Sequence, residues 1–133
     1  MKPKINFLTI AVTDLGKSVS FYKDGLGLPT KGIQEGHEDH CLFELDRDFS
    51  LVLYRRDEFL RSTGNLPQTE SSAGFMISYF AESKEEVDNI LQKALKAGGS
   101  QIGVAKEEAW GYTATFADPD GHHWEISYMP GNG

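Results

Sequence analysis

An α+β fold made of two tandem βαβββ modules is the architecture this sequence implies. Three features lead there. Short β-branched, aromatic-rich runs of strand length are punctuated by Gly, Pro, Asn and Asp clusters. Two segments carry helical apolar spacing, each preceded by a capping residue. The order of elements in the first half returns in the second at an offset of about 68 residues.

Residues 5–13 read as the first strand, with Leu8, Ile10 and Val12 on one face and Phe7, Thr9 and Ala11 on the other. Asp14 caps a helix over 15–23, where Leu15, Val19 and Tyr22 recur at i, i+4 and i+7. Gly25, Gly27 and Pro29 end it. Strands are expected at 30–34, 41–45 and 50–54, separated by turns at Gly36 and at Asp46/Asp48. Residues 57–72 lack periodicity and hold Gly64, Asn65, Pro67, Ser71 and Ser72, so they read as a linker that could open with a short helix over 57–61.

The pattern then repeats. A strand is expected over 74–80. Ser83 and Glu86 have capping-box spacing, and a helix to residue 97 buries Val87, Ile90, Leu91 and Leu95 before Gly98-Gly99 stops it. Strands follow over 101–105, 112–117 and 124–128. The last two form a hairpin around Asp118-Pro119-Asp120-Gly121, where Pro119 presets φ and Gly121 supplies φ > 0. The whole, 1–133, is read as one domain: module one at 5–56, linker at 57–72, module two at 73–129.

The net charge of −7 argues against a nucleic-acid partner and against an anionic membrane surface. No run approaches the roughly 18 apolar residues of a membrane span, and the run after Met1-Lys2-Pro3-Lys4 is too short and too broken by Thr9, Thr13 and Asp14 to read as a signal peptide. The single Cys41 forbids an internal disulfide and suits a reducing compartment, so a cytoplasmic location is expected. Cys41 itself reads as a buried, inert thiol. His37, Glu38, Asp39 and His40 follow Gly36 and read as a solvated loop. Trp110 is either an aromatic at a pocket edge or a packing residue, and His122 and His123 extend the final turn.

Alternation makes Glu125 the most informative residue. Trp124, Ile126 and Tyr128 share one face of the last strand and Glu125 the other. This closing segment, the opening Phe7-Leu8-Thr9-Ile10-Ala11-Val12-Thr13-Asp14-Leu15, and Ser18-Val19-Ser20-Phe21-Tyr22 before Gly25-Leu26-Gly27-Leu28 together resemble the vicinal oxygen chelate superfamily. That superfamily holds glyoxalases, fosfomycin and bleomycin resistance proteins, and extradiol dioxygenases. The resemblance implies that the modules form one curved, eight-stranded mixed sheet, a cup with helices outside and the ligand inside. It also implies that metal enzymes of the group draw their ligands from the first and last strands of the modules.

The carboxylate matching that ligand set is Glu125. The other matching positions are Phe7, Val52 and Phe75, which offer no nitrogen or oxygen donor. No catalytic metal and no other cofactor is therefore expected. Parity adds Thr9, Glu44, Tyr54, Ile77 and Thr113 to Phe7, Val52, Phe75 and Glu125 as pocket residues, with Trp110 at the edge. The expected role is metal-independent binding of a small organic molecule in an apolar, aromatic cup, as in glyoxalase/bleomycin-resistance-like proteins. The alternative is a glyoxalase- or dioxygenase-type lyase or isomerase with Glu125 as metal ligand or general base. By the same resemblance, a homodimer is expected.

Overall fold

The computed structural model describes residues 1–62 and 75–130, and the chain divides into two units, Met1–Gln68 and Thr69–Gly133. Much of the linker expected over 57–72 lies outside the described residues, as does Gly74 at the start of the strand expected over 74–80. Among the described residues, no helix is long and apolar enough to cross a membrane.

In the first unit, β1 (Phe7–Val12), β2 (His40–Glu44) and β3 (Ser50–Arg55) form a sheet in the order β1-β3-β2. β1 runs parallel to β3 and β2 antiparallel to it. α1 (Leu15–Ser20) starts where Asp14 leaves the helical region and its Oδ1 accepts the Lys17 amide at 3.0 Å. The helix expected to residue 23 widens instead into a π turn over Phe21–Gly25, closed by the Leu26 amide on the Phe21 carbonyl at 3.0 Å. Ile10, Val12, Cys41, Phe43, Leu51 and Leu53 share one sheet face, and all are buried. Leu15, Val19, Phe21 and Tyr22 are buried too, and Tyr22 meets Phe43 edge-on with ring centroids 6.0 Å apart. Burial of each large side chain contributes about 1.5–3 kcal/mol, which outweighs the weak helix propensity of so short a segment. A further helix, α2 (Arg56–Ser62), follows β3 directly.

The strand expected over 30–34 does not form. The Thr30 hydroxyl donates to the Leu42 carbonyl at 2.6 Å and accepts the Gly32 amide at 3.0 Å, and Gly32 has φ 84°. A side chain thus takes the carbonyl that a ladder would use, and the left-handed glycine turns the backbone out of register.

In the second unit, β4 (Ile77–Ala81), β5 (Ser100–Glu108), β6 (Gly111–Ala117) and β7 (His123–Tyr128) form a sheet in the order β4-β7-β6-β5. β4 is parallel to β7, and the other pairings are antiparallel. α3 (Lys84–Lys96) is capped by Ser83, whose Oγ accepts the Glu86 amide at 3.0 Å. The Glu86 carboxylate reaches back to the Glu82 amide at 2.7 Å, one residue before the reciprocal partner of a capping box. Val87, Leu91 and Ala94 are its buried stripe, and the helix packs on β6 and β7.

Among the described residues the count is therefore seven strands in two sheets, not eight in one. The repeat is also shifted by one residue. Asp14 and Ser83 are the equivalent caps, and Val12 and Ala81 the equivalent strand ends, so the offset over strand and helix is 69. Phe7 then corresponds to Met76 rather than to Phe75. The match of Phe7 with Phe75 favoured the wrong register because both faces of these strands are largely apolar. Such a pattern does not distinguish a one-residue slip.

Candidate functional site

The second unit sets Glu125 in the middle of β7, opposite Ser78 on β4 and Thr115 on β6. Alternation puts Ser78, Phe80, Thr113, Thr115, Glu125 and Ser127 on one face. Trp124, Ile126, Ala114 and Phe116 take the other face and are buried, with the Phe116 and Trp124 rings stacked at 6.1 Å. Glu125 is half-buried, and the Ser78 hydroxyl donates to its Oε1 at 3.4 Å. Thr113 and Ser127 exchange a hydroxyl contact at 3.0 Å on the same face. Within this unit the carboxylate has hydroxyl residues on both neighbouring strands.

Two expected pocket residues lie elsewhere in this unit. Ile77 pairs with Trp124 and shares its face, opposite to that of Glu125. Phe75 precedes β4, with its ring stacked on His122 at 6.3 Å. Both follow from the one-residue shift. Thr113 keeps the face of Glu125, and Trp110 is exposed in the turn between β5 and β6.

The first unit gathers the remaining expected residues on one face. Pairing puts Phe7, Thr9, Val52, Tyr54 and Glu44 on the side opposite Leu51 and Leu53, together with Leu42 and His40. Thr9 and Leu42 flank Val52 as Ser78 and Thr115 flank Glu125, so Val52 is the counterpart of Glu125 in the repeat.

At the His40 end, the solvated-loop expectation holds only in part. His37 and Glu38 are exposed, but Asp39 and His40 are half-buried. His40 Nδ1 lies 2.8 Å from Asp39 Oδ1, and the Tyr54 hydroxyl donates to Asp39 Oδ2 at 3.2 Å. The His40 ring stacks on that of Tyr54, with centroids 5.6 Å apart and planes 12° from parallel, and the His37 ring meets it edge-on at 6.0 Å. The hydrogen bond from His40 holds the Asp39 carboxyl below its ordinary value, with Tyr54 acting the same way against partial desolvation. A recess of about 280 Å³ opens beside β2, lined by Lys31, Gln34, His37, His40, Leu42 and Glu44 among others. A sequence signal for His40 existed: it stands two and four residues before Leu42 and Glu44 and so shares their face.

The sequence model of the Glyoxalase/Bleomycin resistance protein/Dioxygenase superfamily matches residues 4–126. Uncharacterized protein YraH of Bacillus subtilis is 27% identical over 130 residues, covering 95% of this chain and 98% of that protein. A glyoxalase-related enzyme from Fulvimarina pelagi superposes with a TM-score of 0.83 at 22% identity, over 96% of this chain and 89% of its own. Hypothetical protein SA1046 from S. aureus does so with a TM-score of 0.82 at 26% identity, over 97% and 95%.

Proposed function

Since the chain belongs to the Glyoxalase/Bleomycin resistance protein/Dioxygenase superfamily, we propose that it binds a small organic molecule without a catalytic metal, using Glu125 as the polar anchor. The observation that carries this reading is the setting of Glu125: a half-buried carboxylate in mid-strand, flanked by Ser78 and Thr115 on a face opposite the packed core. A carboxylate in such a frame accepts an N–H or O–H of a ligand, or pairs with a ligand cation, while the hydroxyls supply directional contacts. The same face of the second unit also carries an aromatic side chain, Phe80, two positions along β4 from Ser78.

The residues present do not fit a divalent ion. The positions that the family resemblance assigns to metal donors are Phe7, Val52, Glu125 and, with the corrected register, Met76. That set contains one oxygen donor and one thioether, whereas a divalent ion takes several nitrogen, oxygen or thiolate ligands. Among the described residues, no group of three or more His, Cys, Asp or Glu is placed to hold a metal.

The test pairs a thermal-shift screen of small organic molecules with the Glu125→Gln variant. A ligand that binds the native state raises its melting temperature. For a ligand so found, Glu125→Gln should weaken binding by about tenfold or more, equivalent to about 1.4 kcal/mol, with stability unchanged or raised. Equal binding by both forms rejects Glu125 as the anchor. Stoichiometric metal in protein purified without chelator would instead favour the lyase or dioxygenase alternative, with Glu125 as ligand.

A further inference from the structure

We propose that Asp39 and His40 form a proton-transfer dyad for a small-molecule substrate admitted to the recess beside β2, with His40 as the acid–base group and Asp39 as its positioning residue. This site lies within the first unit and does not depend on Glu125.

The geometry constrains the imidazole on several sides. Asp39 Oδ1 engages Nδ1 at 2.8 Å, the Tyr54 ring lies nearly parallel at 5.6 Å, and His37 meets the ring edge-on at 6.0 Å. The Tyr54 hydroxyl donates to the other Asp39 oxygen at 3.2 Å, so the carboxylate is itself oriented. An ionised carboxylate only accepts, which makes Nδ1 the protonated nitrogen of neutral His40 and leaves the lone pair on Nε2. The hydrogen bonds that hold Asp39 below its ordinary value keep it ionised for that role. His40 lines the recess of about 280 Å³. That volume sits just below the range for drug-sized ligands and selects a small substrate.

The step is balanced within the site. Nε2 takes a proton from a weakly acidic O–H or carbonyl-activated C–H. A new N–H bond forms, the electron pair of the broken bond stays on the substrate, and the imidazolium returns the proton to substrate or product. Lys31 is the permanent cation lining the recess, the type of group that stabilises such a developing oxyanion. The titratable groups around His40 are Asp39 and His37 in the preceding loop, Tyr54 on β3, and Lys31 and Glu44 in the lining, while Arg55 is coupled electrostatically to Asp39.

The test uses the full chain and needs no natural substrate. With p-nitrophenyl acetate as probe at pH 7, the wild type should release p-nitrophenolate about tenfold faster than His40→Gln, below the usual range for acid–base catalysis because the ester is not cognate. That excess should fall by more than half in Asp39→Asn and persist in His37→Gln. Independently, 15N spectra of histidine-labelled protein should show neutral His40 protonated at Nδ1, a bias lost in Asp39→Asn. A His40→Gln rate equal to the wild type, loss of the excess in His37→Gln, or a His40 proton on Nε2 would each overturn the proposal. The spectra still test the His40–Asp39 pairing on which the proposal rests even if one variant fails to fold.

Discussion

Asp118 organises the turn before β7 through both its side chain and its backbone. It is 3% exposed, and its Oδ1 accepts the amides of Asp120 at 2.9 Å and His122 at 2.8 Å. Its own amide donates to the His122 carbonyl, and its carbonyl accepts from Gly121. Removing the side chain takes away the Oδ1 acceptor that both amides use. Asp118→Ala should therefore cost about 2 kcal/mol, and Asp118→Asn, which keeps one carbonyl oxygen, about half as much. Urea titration would show this as a lowered midpoint at constant slope. An unchanged midpoint in Asp118→Ala would mean that the turn is held by its backbone bonds alone. This turn was legible in the sequence because Asp, Pro and Gly each act locally there. The Asp39–His40–Tyr54 cluster was not, because its third member arrives from a strand 14 residues beyond His40, through pairing that no local pattern encodes.

α3 is fastened by polar ties as well as by its apolar stripe. The Tyr79 hydroxyl donates to Glu86 at 2.9 Å, the Tyr112 hydroxyl donates to Asp88 at 2.8 Å, and Lys84 pairs with Glu107. The carboxylate acceptors push both phenols above their ordinary value of 10.0. A folded-state pKa raised in this way adds stability that is complete below pH 10 and is lost as pH climbs through the raised value. The double variant Tyr79→Phe/Tyr112→Phe should thus melt below the wild type at pH 8, each exposed tie contributing about 0.5 kcal/mol. The gap should close as the phenols ionise above pH 10. A gap that does not change with pH would assign the effect to packing. The Ser83 cap of α3 was legible from its spacing to Glu86, and Val87 and Leu91 of the stripe from helical periodicity, whereas Ala94 is buried and Ile90 and Leu95 only half-buried. The missing strand over 30–34 was not, because the Thr30 hydroxyl competes there for a backbone acceptor on a distant strand. The face of Ile77 was misread for the reason that governs any strand with two apolar faces: nothing local fixes its parity.

At the scale of the whole molecule, each sheet has, among the described residues, two edge strands, β1 and β2 in the first unit and β4 and β5 in the second. Apolar side chains along these edges are open, with Phe80 60% and Val104 73% exposed. Edges of this kind pair readily with further chain, and we propose that a second copy covers some of them. Light scattering after size exclusion should then give a mass near twice 14.8 kDa, and a monomer at tens of micromolar would reject it.

The π turn at Phe21–Gly25 has a consequence of another kind. Its wider winding lets two consecutive aromatics, Phe21 and Tyr22, both be buried, at 1% and 0% exposure. A regular α-helix separates neighbouring side chains by more than a quarter of a turn, which spreads such a pair further around the axis. A π turn is an α turn with one residue added, so deleting one residue here would leave a regular helix and withdraw one ring from the core. Chain length over these five residues is thus itself inherited as part of the packing. In related proteins a one-residue gap there should travel with the loss of one of the two aromatics.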